Sequence, residues 1–165
     1  ARANLVVDVV PMKRRFYAAL NSVFSRNSAF VEPVKLHLVR SFCLPLLVYC
    51  LGALDLTTSM VQELGVCWND AFRKIFSYNR WESVKLLQFF CGCLDFTHIY
   101  DLLRLRFLSQ VIIKLPFLNV FCSSLELQYQ TVQKLCDRYG ASGPSVTAAV
   151  YCHFQRTVMQ SDHML

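Results

Sequence analysis

The rest of the chain is organised around the stretch from Pro33 to Phe76. Glu32-Pro33 opens a helix there, since proline is preorganised for a first turn and Glu32 complements the positive end of the helix dipole. His37, Arg40 and Ser41 share a face and are the last polar groups before a long apolar half. From Phe42 to Leu54 no residue is charged or strongly polar apart from the Tyr49 hydroxyl. A helix apolar on all sides is expected to be surrounded by protein, so this segment reads as the central helix of the fold. Phe42, Pro45 and Tyr49, with Trp68 of the next helix, are assigned to the core. Pro45 removes one backbone hydrogen bond and is expected to kink the helix. A hinge follows at Asp55–Ser59, where Thr57, Thr58 and Ser59 offer caps and Ser59 with Gln62 fits a capping box.

The same periodicity orders the rest. Val9–Arg26 is amphipathic, with Met12, Phe16, Ala19, Leu20, Val23 and Phe24 on one side and Arg14, Asn21 and Ser25 on the other. Met60–Phe76 places Val61, Leu64, Trp68, Phe72 and Ile75 on one stripe. Arg80-Trp81 lies in an exposed turn. Further helices are expected over Glu82–Leu94, from an Asp95 or Thr97 cap to Leu115, over Leu118–Tyr139 with stops at Gly140 and Gly143, and over Pro144–Met159. Ala3–Val10 alternates too little for a strand to be assigned. The fold class is all-α: a bundle of six or seven helices around a proline-kinked central helix. The expected organisation is a three-helix bundle over residues 1–78 with a helical extension over 79–165 packed on it.

Composition sharpens this picture. The chain has 165 residues, 55% hydrophobic and 17% charged. That is more apolar and less charged than the globular norm, so apolar surface is left over for a partner or for the remainder of a longer protein. A start at Ala1 fits a fragment. The uncharged run Ser41–Leu54 falls short of the roughly 18–20 residues that span a bilayer, and no secretion signal is visible. The expectation is an intracellular protein, cytoplasmic or nuclear, with no membrane partner. The positive mean hydropathy of +0.35 keeps a membrane-associated helical protein as a third option. Eight cysteines sit mostly at apolar helical positions, where a free thiol acts as a small hydrophobe. A reducing compartment is expected. Cys136, Cys152, His153 and His163 match no zinc-ligand spacing, and no metal or cofactor is expected.

The formal charge is +6 and is concentrated early. Residues 1–50 carry Arg2, Lys13, Arg14, Arg15, Arg26, Lys35 and Arg40 against Asp8 and Glu32. Lys13, Arg14, Arg15, His37 and Arg40 would line one groove if the first two helices packed antiparallel, with Tyr17 among them as a stacking surface. Such a groove suits a polyanion; the plain alternative is a solvated helix face. No catalytic constellation appears. The aspartates are scattered, and there is no phosphate loop, His-Glu-x-x-His or Gly-x-Ser-x-Gly motif. His98 and Asp101, three apart, could orient an imidazole, though a satisfied surface pair is the commoner meaning.

Three segments in order, RRFYAALNSV, VKLHLVRSFCLPLLVYCLGALDL and CWNDAFRKIFSYNRWESVKLLQFFCGCLDF, resemble the part that follows the catalytic palm in reverse transcriptases of non-LTR (LINE-like) retrotransposons. The matching positions are Phe16, Ala18 and Asn21; Leu38, Ser41, Phe42, Leu44, Pro45, Leu47 and Tyr49; and Trp68, Asn69, Arg73, Lys74, Ile75 and Phe76. The resemblance covers residues 9 to 108. It implies a thumb, a helical bundle that grips the RNA–DNA or RNA template-primer duplex beside an upstream palm. The family's metal-binding aspartates are absent, so no polymerase chemistry is expected of this chain. The phosphate contacts expected are Lys13, Arg14, His37 and Arg40, with Tyr17 stacking or bonding to a sugar, and Lys35, Arg73 and Lys74 in second place. Arg73 and Lys74 have an alternative use in pairing with Asp70 and its neighbours. The rival reading is a helical protein-interaction module without a nucleic-acid role.

Overall fold

The structure is a computed structural model and describes residues 7–26, 30–114, 122–140 and 146–162, excluding the side chains of 111–114, 122–129, 161 and 162. Among the described residues it is all helical, with no strand. The helices are α1 (Val10–Arg26), α2 (Glu32–Leu38), α3 (Leu44–Val48), α4 (Thr58–Phe76), α5 (Lys85–Phe90), α6 (Phe96–Lys114), α7 (Cys122–Tyr139) and α8 (Val146–Asp162). A π-helical turn, Val39–Cys43, joins α2 to α3 without a break, so the bundle has seven helical rods. The part of the expected Ala3–Val10 segment before Val7, the Leu115 end of the fifth expected helix, the Leu118–Phe121 start of the sixth, and Gly143 and Pro144 lie outside the described residues.

Local chemistry sets the helix ends. Asp8 accepts the Val10 N–H at 2.9 Å and so caps α1. The cap of α4 is Thr57, whose Oγ1 accepts the Met60 N–H at 3.4 Å. Ser59 therefore lies inside the helix, and the expected Ser59–Gln62 box does not form. Asp95 caps α6 by accepting the His98 N–H at 2.9 Å. The fourth helix is shorter than expected, six residues: Val84 is its N-cap, its carbonyl accepting the Gln88 N–H at 2.8 Å, and Gly92 takes a positive φ of 63° after it.

The central helix differs from its sequence reading. The expected kink at Pro45 is not confirmed; a π-helical turn stands ahead of the proline, where the Leu44 N–H reaches back to Val39 O, five residues away. Proline has no N–H to place in the ladder, and a wider turn before it relieves the register. Only one face is buried. Val39, Cys43, Leu47 and Leu51 are inside, whereas Pro45 and Leu46 are exposed, Phe42 is 63% exposed and Tyr49 75%. Phe42, Pro45 and Tyr49 are thus not core; Trp68 is. The run Glu32–Ala53, 22 residues at mean hydropathy 1.6, is long and apolar enough to cross a membrane by length and composition, longer than the uncharged run alone; 28% of it is buried in the protein.

Two hydrophobic cores share α6. The first gathers Phe16 and Leu20 of α1, the inner face of α2–α3, and Leu64, Trp68 and Phe72 of α4, and is closed by Val84, Phe96 and Tyr100. It therefore extends past residue 78. The second holds Leu102 and Leu105 of α6, Leu135 and Tyr139 of α7, and Val150, Phe154 and Val158 of α8. Burial on two sides explains why α6 has no polar face.

Chain reversal before α4 is fastened to α6 by buried polar groups. Tyr100 donates its hydroxyl proton to Leu54 O at 2.9 Å and accepts the Leu56 N–H at 3.0 Å. Arg104 donates to Leu54 O at 2.9 Å and to Asp55 Oδ1 at 3.2 Å. Gly52 makes the approach possible: a Cβ there would lie 2.8 Å from Leu103 O and 3.0 Å from Phe107 Cβ. Gly52→Ala is predicted to cost about 1–3 kcal/mol by overpacking, with the melting temperature falling about 2–4 °C per kcal/mol. Thermal unfolding checks this; an unchanged midpoint would contradict so close an approach.

Candidate functional site

The residues expected to touch nucleic acid divide into two groups. Lys13, Tyr17 and Lys74 are paired across the seam between α1 and α4, Lys74 from an exposed position, and Arg73 is paired within α4 and with the turn that follows it. Lys13 Nζ meets Glu63 Oε2 at 2.6 Å, the Tyr17 hydroxyl donates to Asp70 Oδ2 at 2.8 Å, and Lys74 Nζ donates to Asn21 Oδ1 at 2.7 Å. These pairings ascend together along both helices, so α1 and α4 run parallel. Lys74 also lies 4.8 Å from the Phe24 ring centroid, a cation–π distance. Arg73 bonds Asp70 Oδ1 at 3.1 Å and Glu82 O at 3.2 Å. Burial, and then hydrogen bonding to Cys67 and Asp70, push the Tyr17 hydroxyl well above its ordinary pKa. It is held as a neutral donor inside the seam.

Arg14, Arg15, Lys35, His37 and Arg40 form the second group. Arg14, Arg15, His37 and Arg40 are exposed and Lys35 is half-buried. None has an ion pair or side-chain hydrogen bond among the described residues. They do not converge on one groove with Lys13, as expected from sequence: Lys13 is turned to α4, and Arg40 to the other side of α2–α3. Arg40 there faces the turn before α6, where its charge pulls the Cys91 and Cys93 thiols down against the larger upward effect of burial.

Beside Arg40 is a cleft of about 210 Å³ between the α2–α3 rod, α6 and α8. Leu44, Val48, Leu103 and Tyr151 form part of its walls, and Arg40 and Arg106 both line it. Trp68 contributes to its lining and is fixed by an Nε1–H bond to Leu94 O at 3.1 Å.

No protein-family model, curated protein or solved structure matches this chain.

A polar cluster that sequence reasoning missed lies in the second core. His98, 6% exposed, bonds the Asp95 carboxylate through Nδ1, and its Nε2 lies 3.1 Å from His153 Nδ1 on α8. Asp101 is buried and accepts from Tyr139 Oη at 2.5 Å and from Arg138 at 3.0 Å. His98 and Asp101 thus do not pair with one another, and neither is a surface residue; each finds its partners elsewhere. Among the described residues no three His, Cys, Asp or Glu side chains could hold a metal ion, and His163 lies outside them. The only signal available was the helical spacing of Asp95, His98 and Asp101; His153 is 55 residues from His98.

Burial raises the Asp95 carboxyl, but the hydrogen bond and charge of His98 outweigh it and hold its pKa below the ordinary range. His153 is lowered by burial first, then by the charges of His98, Arg156 and Arg138. A histidine with a lowered pKa binds its proton more readily in the unfolded chain. Its contribution to stability is therefore lost as pH falls from the unfolded value, about 6.5, to the folded one. Urea unfolding is predicted to show lower stability at pH 5.5 than at pH 7.5, with the difference reduced in His153→Gln. An undiminished difference in that variant would place the pH dependence elsewhere.

Proposed function

We propose that this chain is the non-catalytic, thumb-like part of a non-LTR retrotransposon reverse transcriptase and grips a template-primer duplex through its backbone phosphates. The observation that carries the reading is the set of outward, unpaired cations on α1 and α2–α3, namely Arg14, Arg15, Lys35, His37 and Arg40, on a bundle built from the segments that resemble that family. The motif-bearing helices contact one another: Asn21 holds Lys74, and Trp68 and Phe72 share the core with Phe16 and Leu47. They behave as one folding unit, as a thumb would. Duplex held by shape and backbone needs positive charge without a base-reading code. Arg14, His37 and Arg40 then make the first contacts and Lys35 a further one. Lys13, Tyr17, Arg73 and Lys74 act by fixing the helices that carry them. The exposed face with Phe42, Leu46 and Tyr49 suits packing on an upstream palm of the same polymerase, and the protein acts inside the cell, in cytoplasm or nucleus, without a membrane.

That same apolar face favours a second reading, a helical protein-interaction module without nucleic acid, because large exposed apolar surfaces mark contact sites. Binding to an RNA–DNA hybrid across a salt series separates the two. A grip on phosphates predicts affinity that falls steeply with salt and ignores sequence. Arg14→Ala and Arg40→Ala should each weaken binding uniformly and flatten the log–log salt slope by about 1. Absence of binding at low salt by the folded protein would sink the duplex reading and leave the interaction module.

A further inference from the structure

We propose that the cleft between the α2–α3 rod, α6 and α8 is a binding site for a small amphipathic anion, a carboxylate carried on a short aliphatic chain or a single ring. The site does not rest on the duplex reading, since its chemistry is that of a half-open, largely apolar cleft with two arginines in its lining. Arg40, Leu44 and Val48 are four residues apart and line one wall; Leu103 and Arg106 of α6 and Tyr151 of α8 line others. Two arginines and no acid are among the lining residues, so the cleft carries uncompensated positive charge.

The two guanidiniums are free for an anion in different ways. Arg40 is exposed and has no ion pair or side-chain hydrogen bond among the described residues. Arg106 donates to Thr147 Oγ1 at 3.0 Å, a neutral partner that orients the guanidinium and leaves its charge unneutralised. Arginine presents a planar fork of donors that matches a carboxylate. Arg40 also stands in the π-helical turn, a feature that recurs at functional sites in helices. The rest of the lining is dominated by aliphatic side chains, which offer a polar ligand body few partners and an apolar one a dry wall.

Size restricts the occupant. About 210 Å³ is below the ~300–1,000 Å³ of sites for drug-sized ligands. At roughly 30 Å³ for each water-sized group, it holds about seven such groups. A carboxylate of about eight carbons exceeds that, so its head is expected at Arg40 and Arg106 and the first part of its chain against Leu44, Val48 and Leu103, with the end of the chain outside the cleft.

Calorimetric titration of the full chain with octanoate, kept monomeric, tests the site, with 1-octanol as the uncharged counterpart. Octanoate is expected to bind at least tenfold more tightly than octanol. Arg40→Gln and Arg106→Gln should each weaken octanoate about tenfold and leave octanol unchanged, while Arg14→Gln, also exposed but on α1, should leave both unchanged. Circular dichroism verifies that each variant is folded. Equal binding of octanoate and octanol, equal loss in Arg14→Gln, or no octanoate binding by the folded wild type would overturn the proposal. Phosphatidylcholine vesicles containing oleate form a separate arm: binding to them without binding to monomeric octanoate also overturns it, because the anion would then be read on a lipid surface.

Discussion

The fold depends on how the chain reverses between α3 and α4 while keeping its backbone polar groups satisfied. Leu54 and Leu56 pass close to the interior, where an unpaired carbonyl or amide would be costly. Tyr100 and Arg104, one turn apart on α6, satisfy them from 46 and 50 residues away. Gly52 lets the backbone come near enough for those bonds to form. The same helix turns Leu102 and Leu105 toward α7 and α8. The reversal, the closure of the first core and the seat of the second are therefore one set of contacts. A change in α6 is expected to be felt on both sides of residue 78.

Much of the architecture was legible because helical periodicity is local. The α1 and α4 stripes, the cap at Asp95 and the stop at Gly140 follow from residues a few positions apart. The central helix was half misread for a physical reason: an apolar face does not have to be buried when other faces already fill the core. Val39, Cys43 and Leu47 lie inward and Phe42, Leu46 and Tyr49 outward, though hydropathy does not distinguish the two sets. The buried polar residues were illegible for the opposite reason. Gln88, His98, Asp101 and Arg104 look like surface residues in sequence, and partners mostly distant along the chain, with Asp95 beside His98, make their burial tolerable. Gln88 Nε2 bonds Asn69 Oδ1 at 2.9 Å, while its Oε1 has no hydrogen-bond partner among the described residues.

Counting charges also overstated the cationic face. Of the cations expected at a nucleic-acid surface, Lys13, Arg73 and Lys74 each have an oxygen partner within the fold. Glu63 and Asp70 neutralise the first two locally, and Asn21 holds the third. Their effect on an approaching polyanion is correspondingly weaker than that of Arg14, Arg15 or Arg40, whose charges have no such partner among the described residues. Solvent and salt screen all of them, but a fixed carboxylate at hydrogen-bond distance cancels more of the field than mobile ions do.

The motif residues and the functional candidates prove to be largely different sets. Of the matched positions, Asn21, Trp68, Asn69, Arg73, Lys74 and Ile75 are engaged in packing or hydrogen bonds within the fold, whereas Phe42, Pro45 and Tyr49 are exposed. A motif of this kind marks a way of folding more than a way of binding: Trp68 must donate to Leu94 O, and Asn69 must receive Gln88, whatever the outer surface does. The residues free to meet another molecule, Arg14, Arg15 and His37 on the open faces and Arg40 at the cleft, are mostly those outside the matched positions. On the duplex reading, the bundle's part is to hold those outward residues in fixed places.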